Sequence, residues 1–141
     1  MKIKGLIEKL KGMPSRDTWQ PSNGPYPRLR ELDYPALKML KYIGGVYALW
    51  HRGVRPQWIY IGYAPDLCTA LSMAMEDPDI NLYERNDGVF VGWSKCPQGI
   101  RAAAVKHLRL LCEPAILLSP LDELGAVDPD VSPIEFPLPI D

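Results

Sequence analysis

Two short runs of β-favouring residues constrain the fold of this chain more than any other feature of its sequence. They are Gly45-Val46-Tyr47 and Tyr60-Ile61-Gly62, and a polar stretch that includes Gly53 and Pro56 lies between them. Two such runs joined by a short segment with glycine and proline are typical of a β-hairpin. We therefore predict one strand at about 45–51 and a second at about 57–63.

The residues after the hairpin predict helices and a further strand. Asp66 follows a proline and is a good N-cap for a helix that extends to about residue 75. The pattern of apolar residues then predicts a strand at 88–96 and a helix at 99–112, with a polar loop at 77–88 and a short strand or packed tail at 115–118. The expected fold is α/β (α+β), with a small mixed or antiparallel sheet of about three strands flanked by helices.

Prolines and charges divide the chain into three predicted parts. The 15 prolines cluster near the two ends, so we expect extended ends around a folded centre. Residues 1–42 are predicted to form an amphipathic helix, a proline-rich loop and a short helix. Residues 43–118 are predicted to form the folded domain, and residues 119–141 an acidic, proline-rich arm.

Each end of the chain leaves alternatives open. Residues 1–13 place lysines opposite an apolar stripe, and such a helix can pack on its own domain, dock on a partner or lie on an anionic membrane. The C-terminal arm is either disordered or wraps a neighbour. Its four large apolar residues favour docking, and we predict that one of them, Phe136, is a binding residue.

The overall composition argues against several classes of protein. Sixteen basic and 17 acidic residues give a net charge of −1, which disfavours strong non-specific nucleic-acid binding. Three cysteines without C-x-x-C spacing suggest neither a disulfide framework nor a zinc site, so we expect a cytoplasmic protein. No apolar run reaches the roughly eighteen residues that a membrane span requires, so we predict no membrane span.

The two motif runs and the predicted element order resemble the GIY-YIG nuclease superfamily. Tyr60-Ile61-Gly62 continues to Asp66-Leu67 in a way that is similar to the family's YIG-x-[AT]-x-[ND]-L segment. The resemblance covers about residues 43–118, and Pro114 lies where many members have a proline after the second helix. The resemblance implies metal-assisted phosphodiester cleavage in active members. Two tyrosines, an arginine on the first helix and a metal-binding glutamate on the second would carry that chemistry.

Carried over position by position, the resemblance implies that this chain has lost the chemistry. The motif tyrosines and glycines remain as Tyr47, Tyr60, Gly45 and Gly62. Ala70 stands where the family has its arginine, and Ala74 stands where a His or Tyr is found one turn later. Val105 stands at the position of the glutamate, and Leu117 at that of the last asparagine. None of these four side chains can bind a hard cation or stabilise a charged transition state. We therefore predict no catalytic residues, no metal site and no cofactor.

A relocated catalytic site would need other polar residues near the lost positions. The nearest candidates in the sequence are Glu76, Glu84, Glu113, His51 and His107. On a helix Glu76 is rotated away from Ala70 by about 120°. An isolated histidine is more often a surface or core residue than a ligand. We do not expect these residues to rebuild the site.

Basic and aromatic residues coincide at the tip of the predicted hairpin. Arg52 and Arg55 lie at the tip, and Trp50 and Trp58 lie at its base. Such a group can bind nucleic acid through phosphate contacts and stacking, or form the centre of a protein interface. It can equally be a solvated turn above buried tryptophans. We take Arg52, Arg55 and Trp58 as candidate binding residues.

The sequence thus favours a catalytically inactive GIY-YIG-like domain, a pseudoenzyme that is a structural or protein-interaction component of a larger assembly. A protein partner or a homo-oligomer is expected. Two alternatives stay open, a metal-dependent endonuclease with a degenerate site and a nucleic-acid-binding protein without cleavage. The near-neutral net charge disfavours the nucleic-acid alternative.

Overall fold

The computed structural model describes residues 19–22 and 25–140, and in them a single antiparallel sheet forms the centre of the fold. Its strands are β1 (Gly45–His51), β2 (Gln57–Ala64) and β3 (Val89–Lys95), in the spatial order β2–β1–β3. Helices flank the sheet, so the predicted α+β fold with about three strands is confirmed. The helix predicted at residues 1–13 lies outside the described residues.

Four helices accompany the sheet within the described residues. They are α1 (Tyr34–Met39), α2 (Leu67–Glu76), α3 (Pro78–Asn81) and α4 (Arg101–Cys112). Single 3-10 turns lie at Leu29–Glu31, Leu82–Arg85, Gln98–Ile100 and Pro120–Glu123. The Asp66 carboxylate accepts hydrogen bonds from the backbone amides of Cys68 and Thr69 in the first turn of α2. The N-cap predicted at this aspartate is therefore confirmed.

The segment predicted as a polar loop at 77–88 is instead largely helical. The Asp77 carboxylate accepts hydrogen bonds from the backbone amides of Asp79 and Ile80, at 2.9 and 3.2 Å. Pro78 occupies the first turn, and Ile80 is fully buried. The loop prediction was wrong because aspartate and proline, which usually interrupt a helix, here begin one.

The register of the hairpin, which contains one β-bulge, sets which side chains share a face. Tyr47 pairs with Gly62 and Leu49 with Tyr60, but the next pair is Trp50 with Trp58. Ile59, which lies between Trp58 and Tyr60 on β2, is therefore an extra residue without a partner on β1. Because cross-strand partners point to the same face, Tyr47 and Tyr60 are brought to one side of the sheet.

The sheet separates two hydrophobic clusters, one on each face. The first packs α1 and α2 against the face that carries both motif tyrosines, and Leu67, Ala70, Leu71 and Ala74 of α2 are fully buried there. The second packs α4 against the other face through Ala104, Val105 and Leu108. Each strand is therefore covered on both sides, which explains its nearly continuous apolar sequence.

The C-terminal arm is ordered and packs on its own domain. Phe136 is 2% exposed and lies edge-on to Trp19, with ring centroids 5.9 Å apart. The Trp19 indole Nε1 donates to the Pro137 carbonyl at 2.9 Å, and the Ile134 amide donates to the Ala103 carbonyl of α4 at 3.1 Å. The arm thus completes the second hydrophobic cluster, so Phe136 is a core residue in this structure and not a surface binding residue.

The chain after α4 covers the outer edge of β2. The left-handed conformation of Glu113 turns the chain at the end of the helix. The amides of Ala115 and Ile116 then donate to the carbonyls of Trp58 and Ile59. Residues 115–118 add no full strand, but these bonds satisfy an edge that would otherwise be open to other strands. None of the helices in the described residues is long and apolar enough to cross a membrane.

Candidate functional site

The two motif tyrosines lie side by side in the core. Tyr47 and Tyr60 have ring centroids 6.0 Å apart, and neither side chain has exposed surface. Gly62 lies beside both rings, and a Cβ atom on it would be 2.7 Å from the Tyr60 ring and 2.9 Å from the Tyr47 hydroxyl oxygen. The motif glycine is therefore required because the tyrosine rings occupy the space of a side chain.

A close approach of two backbones explains the second motif glycine. Gly45 pairs with Lys95 at the start of β1. A Cβ atom on Gly45 would collide with the Ser94 carbonyl oxygen of β3, which is backbone and cannot rotate away. Both glycines of the motif thus have packing roles in the sheet.

Arg109 and Asp122 hold the Tyr60 hydroxyl. The hydroxyl donates to Asp122 Oδ1 at 2.5 Å, and Arg109 Nη2 donates to the same carboxylate oxygen at 3.0 Å. Arg109 Nη2 also lies 3.2 Å from the Tyr60 hydroxyl, and its Nε donates to the Ile61 carbonyl at 2.8 Å. The Arg109 and Asp122 side chains are 19% and 25% exposed, so they form the solvent side of the cluster.

The Tyr47 hydroxyl is enclosed more completely. It is buried and has no hydrogen-bond partner among the described residues. Burial, followed by electrostatic repulsion from Tyr60, raises the pKa of Tyr47 well above the usual value of a phenol. Burial is also the largest cause of the raised pKa of Tyr60, and its hydrogen bond to Asp122 comes next. Both phenols are therefore protonated at neutral pH, whereas an efficient general base has a pKa near the working pH.

The structure separates the four apolar residues that the resemblance matches to the catalytic groups of GIY-YIG nucleases. Ala70 and Ala74 lie in the cluster that contains both tyrosines. Val105 lies in the cluster on the opposite face of the sheet, and Leu117 is 68% exposed. Only the first two are therefore brought together with the tyrosines, and both are methyl groups packed into the core.

No metal site accompanies the tyrosines in the residues that the structure describes. These residues contain no group of three or more His, Cys, Asp or Glu side chains that could hold an ion. Of the relocation candidates, His51 is buried, stacks on Tyr83 and lies in hydrogen-bond contact with Gln57 Oε1 at 3.2 Å. Burial raises the pKa of the Cys96 and Cys112 thiols to about 11, so neither is a ready nucleophile at neutral pH.

Arg109 and Asp122 were missed by the sequence analysis, although one of them carries a local signal. Ser119 and Asp122 form a capping box around a 3-10 turn, and a serine followed three residues later by an acidic residue is a known start signal. That signal predicts a fixed turn but not its position beside Tyr60. Arg109 has no comparable signal, because its contacts to Ile61 and Tyr60 depend on how α4 crosses the sheet.

The candidate binding residues of the hairpin tip lie at the surface. Arg52 and Arg55 are exposed, and the Arg52 guanidinium carbon is 4.7 Å from the centroid of the Phe90 ring. Trp58 is half-buried and packs edge-on against Trp50, with ring centroids 5.6 Å apart. The tip is therefore a basic surface supported by an aromatic group.

Comparisons of the chain with protein-family models, with characterised proteins and with solved structures find no match. The resemblance to GIY-YIG nucleases thus rests on the motif residues and the order of the elements.

Proposed function

We propose that this chain is a catalytically silent GIY-YIG-like domain that acts as a structural or protein-interaction component of a larger cytoplasmic assembly. The observation that carries the proposal is the closure of the tyrosine cluster. Tyr47 and Tyr60 have no exposed surface, and the Tyr60 hydroxyl is already bonded to Asp122 and Arg109. A water molecule and a phosphodiester have no access to either hydroxyl in this arrangement.

The chemistry of the surrounding residues supports the same proposal. Hydrolysis of a phosphodiester requires a cationic group and usually a metal ion at the developing negative charge. Arg109 is the cation nearest to the tyrosines, but its guanidinium is paired with Asp122 and bonded to the Ile61 carbonyl. Ala70 and Ala74, which face the tyrosines from α2, add only apolar packing.

A leucine-rich surface supports the interaction part of the proposal. We use the term leucine surface for four side chains that are more than half exposed, Leu110, Leu111, Leu117 and Leu118. Their backbone is held in place, because the intervening Ala115 and Ile116 bond to the edge of β2. Four exposed leucines within nine residues of chain favour a protein-binding surface, because large exposed apolar patches mark interaction sites. Since the β2 edge is covered, a partner would contact these side chains and not add a strand.

Affinity capture tests this function, with the leucine surface as the variable. We expect the tagged protein to retain a stoichiometric partner from extracts of its native cells. The Leu110→Lys, Leu117→Lys double variant should lose the partner, because two buried charges disfavour an apolar interface. The matched control, Ser72→Lys with Gln98→Lys, adds the same charge at exposed positions outside this surface and should keep it. Equal capture by both variants, or no stoichiometric partner of the wild-type protein, would contradict the proposal.

A further inference from the structure

One end of the sheet carries arginines that form no ion pair within the part of the chain that the structure describes. Within the described residues the ion pairs are Arg28–Asp87, Arg30–Glu84 and Arg109–Asp122. Arg52, Arg55 and Arg85 belong to none of them, and all three are exposed. We call these three residues the arginine end.

A shallow depression joins two members of the arginine end. Its volume is about 610 Å³, and Arg52 and Arg85 contribute to its lining together with Asn86 and Asp87. A second depression, which extends toward Ile116, shares Arg85 and Asn86 with the first. Asp79 also lines the second depression, but the three guanidiniums of the arginine end outnumber it, so this shallow surface keeps donors that suit carboxylates. The Asp87 carboxylate is already paired with Arg28.

The opposite end of the sheet carries exposed carboxylates of the C-terminal arm. We call Asp128 and Asp130 the acidic end; both are exposed and neither forms an ion pair within the described residues. The Tyr63 hydroxyl donates to the Ala126 carbonyl at 2.5 Å, which fixes this part of the arm beside the last residues of β2. The Lys106 ammonium donates to the carbonyls of Pro129 and Val131, at 2.5 and 2.7 Å, and fixes the segment on α4.

The two ends are too far apart to meet within one molecule. Residues 52–56 connect β1 to β2, so the arginine end lies where β2 begins, whereas Tyr63 lies near its last residue. At about 3.4 Å per residue, the eight residues of β2 separate these ends by roughly 24 Å. That distance is more than two Debye lengths at physiological salt, so the two ends do not neutralise each other.

We infer that the acidic end of one copy of this chain binds the arginine end of a second copy. A single chain carries both complementary surfaces at opposite ends of its sheet, and charge complementarity of this kind directs association. The contact is heterologous because it joins two different surfaces. Repeated with further copies, it builds an open chain, or a ring if the last copy contacts the first. This inference rests on the proposed function only because it names one partner, a second copy of the chain. It uses residues outside the leucine surface.

Complementary charge reversal tests the contact with the protein alone. We expect the wild-type protein to self-associate reversibly in sedimentation velocity, more strongly at low than at high ionic strength. Variant one carries Arg55→Glu with Arg85→Glu, and variant two carries Asp128→Lys with Asp130→Lys. Each variant alone should show a dissociation constant raised by roughly 100-fold, because like charges then face each other. An equimolar mixture of the two should associate again, because the two intact ends are complementary and the two reversed ends are complementary as well.

The controls separate this contact from folding defects and from the leucine surface. Lys38→Glu with Ser72→Glu adds negative charge at exposed positions of α1 and α2, outside both charged ends, and should still associate. The Leu110→Lys, Leu117→Lys variant should also associate, so failure of the capture experiment and failure of self-association are distinguishable. A wild-type protein that stays monomeric at low ionic strength would overturn the inference, as would a mixture that stays monomeric. Binding of a single-stranded oligonucleotide to the arginine end without self-association would likewise overturn it.

Discussion

Replacement of Phe136 by alanine is expected to lower the free energy of unfolding by about 3–5 kcal/mol, the usual cost of truncating a buried phenylalanine. Phe136 is 2% exposed and lies edge-on to Trp19 in the cluster that also contains Val105 and Leu108 of α4. The substitution leaves a cavity between the arm and the sheet. It also removes packing next to Pro137, whose carbonyl accepts the hydrogen bond from the Trp19 indole.

The urea unfolding midpoint of this variant measures the effect directly. Leu118→Ala is the matched control, because Leu118 is as apolar but is 87% exposed, and its loss should change stability by at most about 0.5 kcal/mol. If Phe136→Ala costs no more than Leu118→Ala, the arm does not pack on the domain in solution. The proposal that its acidic residues are held at one end of the sheet would then lose its basis.

Alkaline pH is expected to destabilise the protein strongly through the two motif tyrosines. The pKa of each is raised in the folded state above that of an exposed phenol, mainly by burial. The unfolded chain therefore releases these protons first, and the stability is present below about pH 10 and is lost as pH rises above it. Each tyrosine can remove up to about 1.4 kcal/mol per pH unit in this range. Two units above pH 10, the two together can remove about 5 kcal/mol.

Single phenylalanine substitutions isolate the contribution of one tyrosine. Tyr47→Phe should leave the free energy of unfolding at pH 7 unchanged or raised, because its hydroxyl is buried without a partner among the described residues. Above pH 10 the same variant should lose stability with roughly half of the wild-type slope. Tyr34→Phe, at a position that is 74% exposed, should keep the full slope. Identical slopes for Tyr47→Phe and the wild-type protein would show that Tyr47 titrates like an exposed phenol.

The elements with local signals could be predicted from the sequence. The hairpin is marked by its glycine, its proline and two apolar runs, and α2 by the Asp66 cap. The absence of polar groups at positions 70 and 74 is also a property of the sequence alone. These features depend on residues that lie close together in the chain, where propensity and capping act.

The contacts that close the site could not be predicted in the same way. Asp122 reaches Tyr60 across 62 residues of chain, and Trp19 bonds to Pro137 across 118. Such contacts depend on how α4 and the arm pack on the sheet, which no local pattern encodes. The face on which Val105 lies follows from the same packing. The sequence could therefore identify the apolar residues at positions 70 and 74 but not Arg109 and Asp122, which contact Tyr60.

The most direct test of the account is a cleavage assay on the wild-type protein with branched and linear DNA, in Mg²⁺ and in Mn²⁺. The closed tyrosine cluster predicts no cleavage of any substrate above the background of a Tyr47→Phe preparation. Cleavage by the wild-type protein that disappears in the Tyr47→Phe variant, when that variant is as stable as the wild-type protein at pH 7, would contradict the account. It would show that the Tyr47 hydroxyl reaches a substrate.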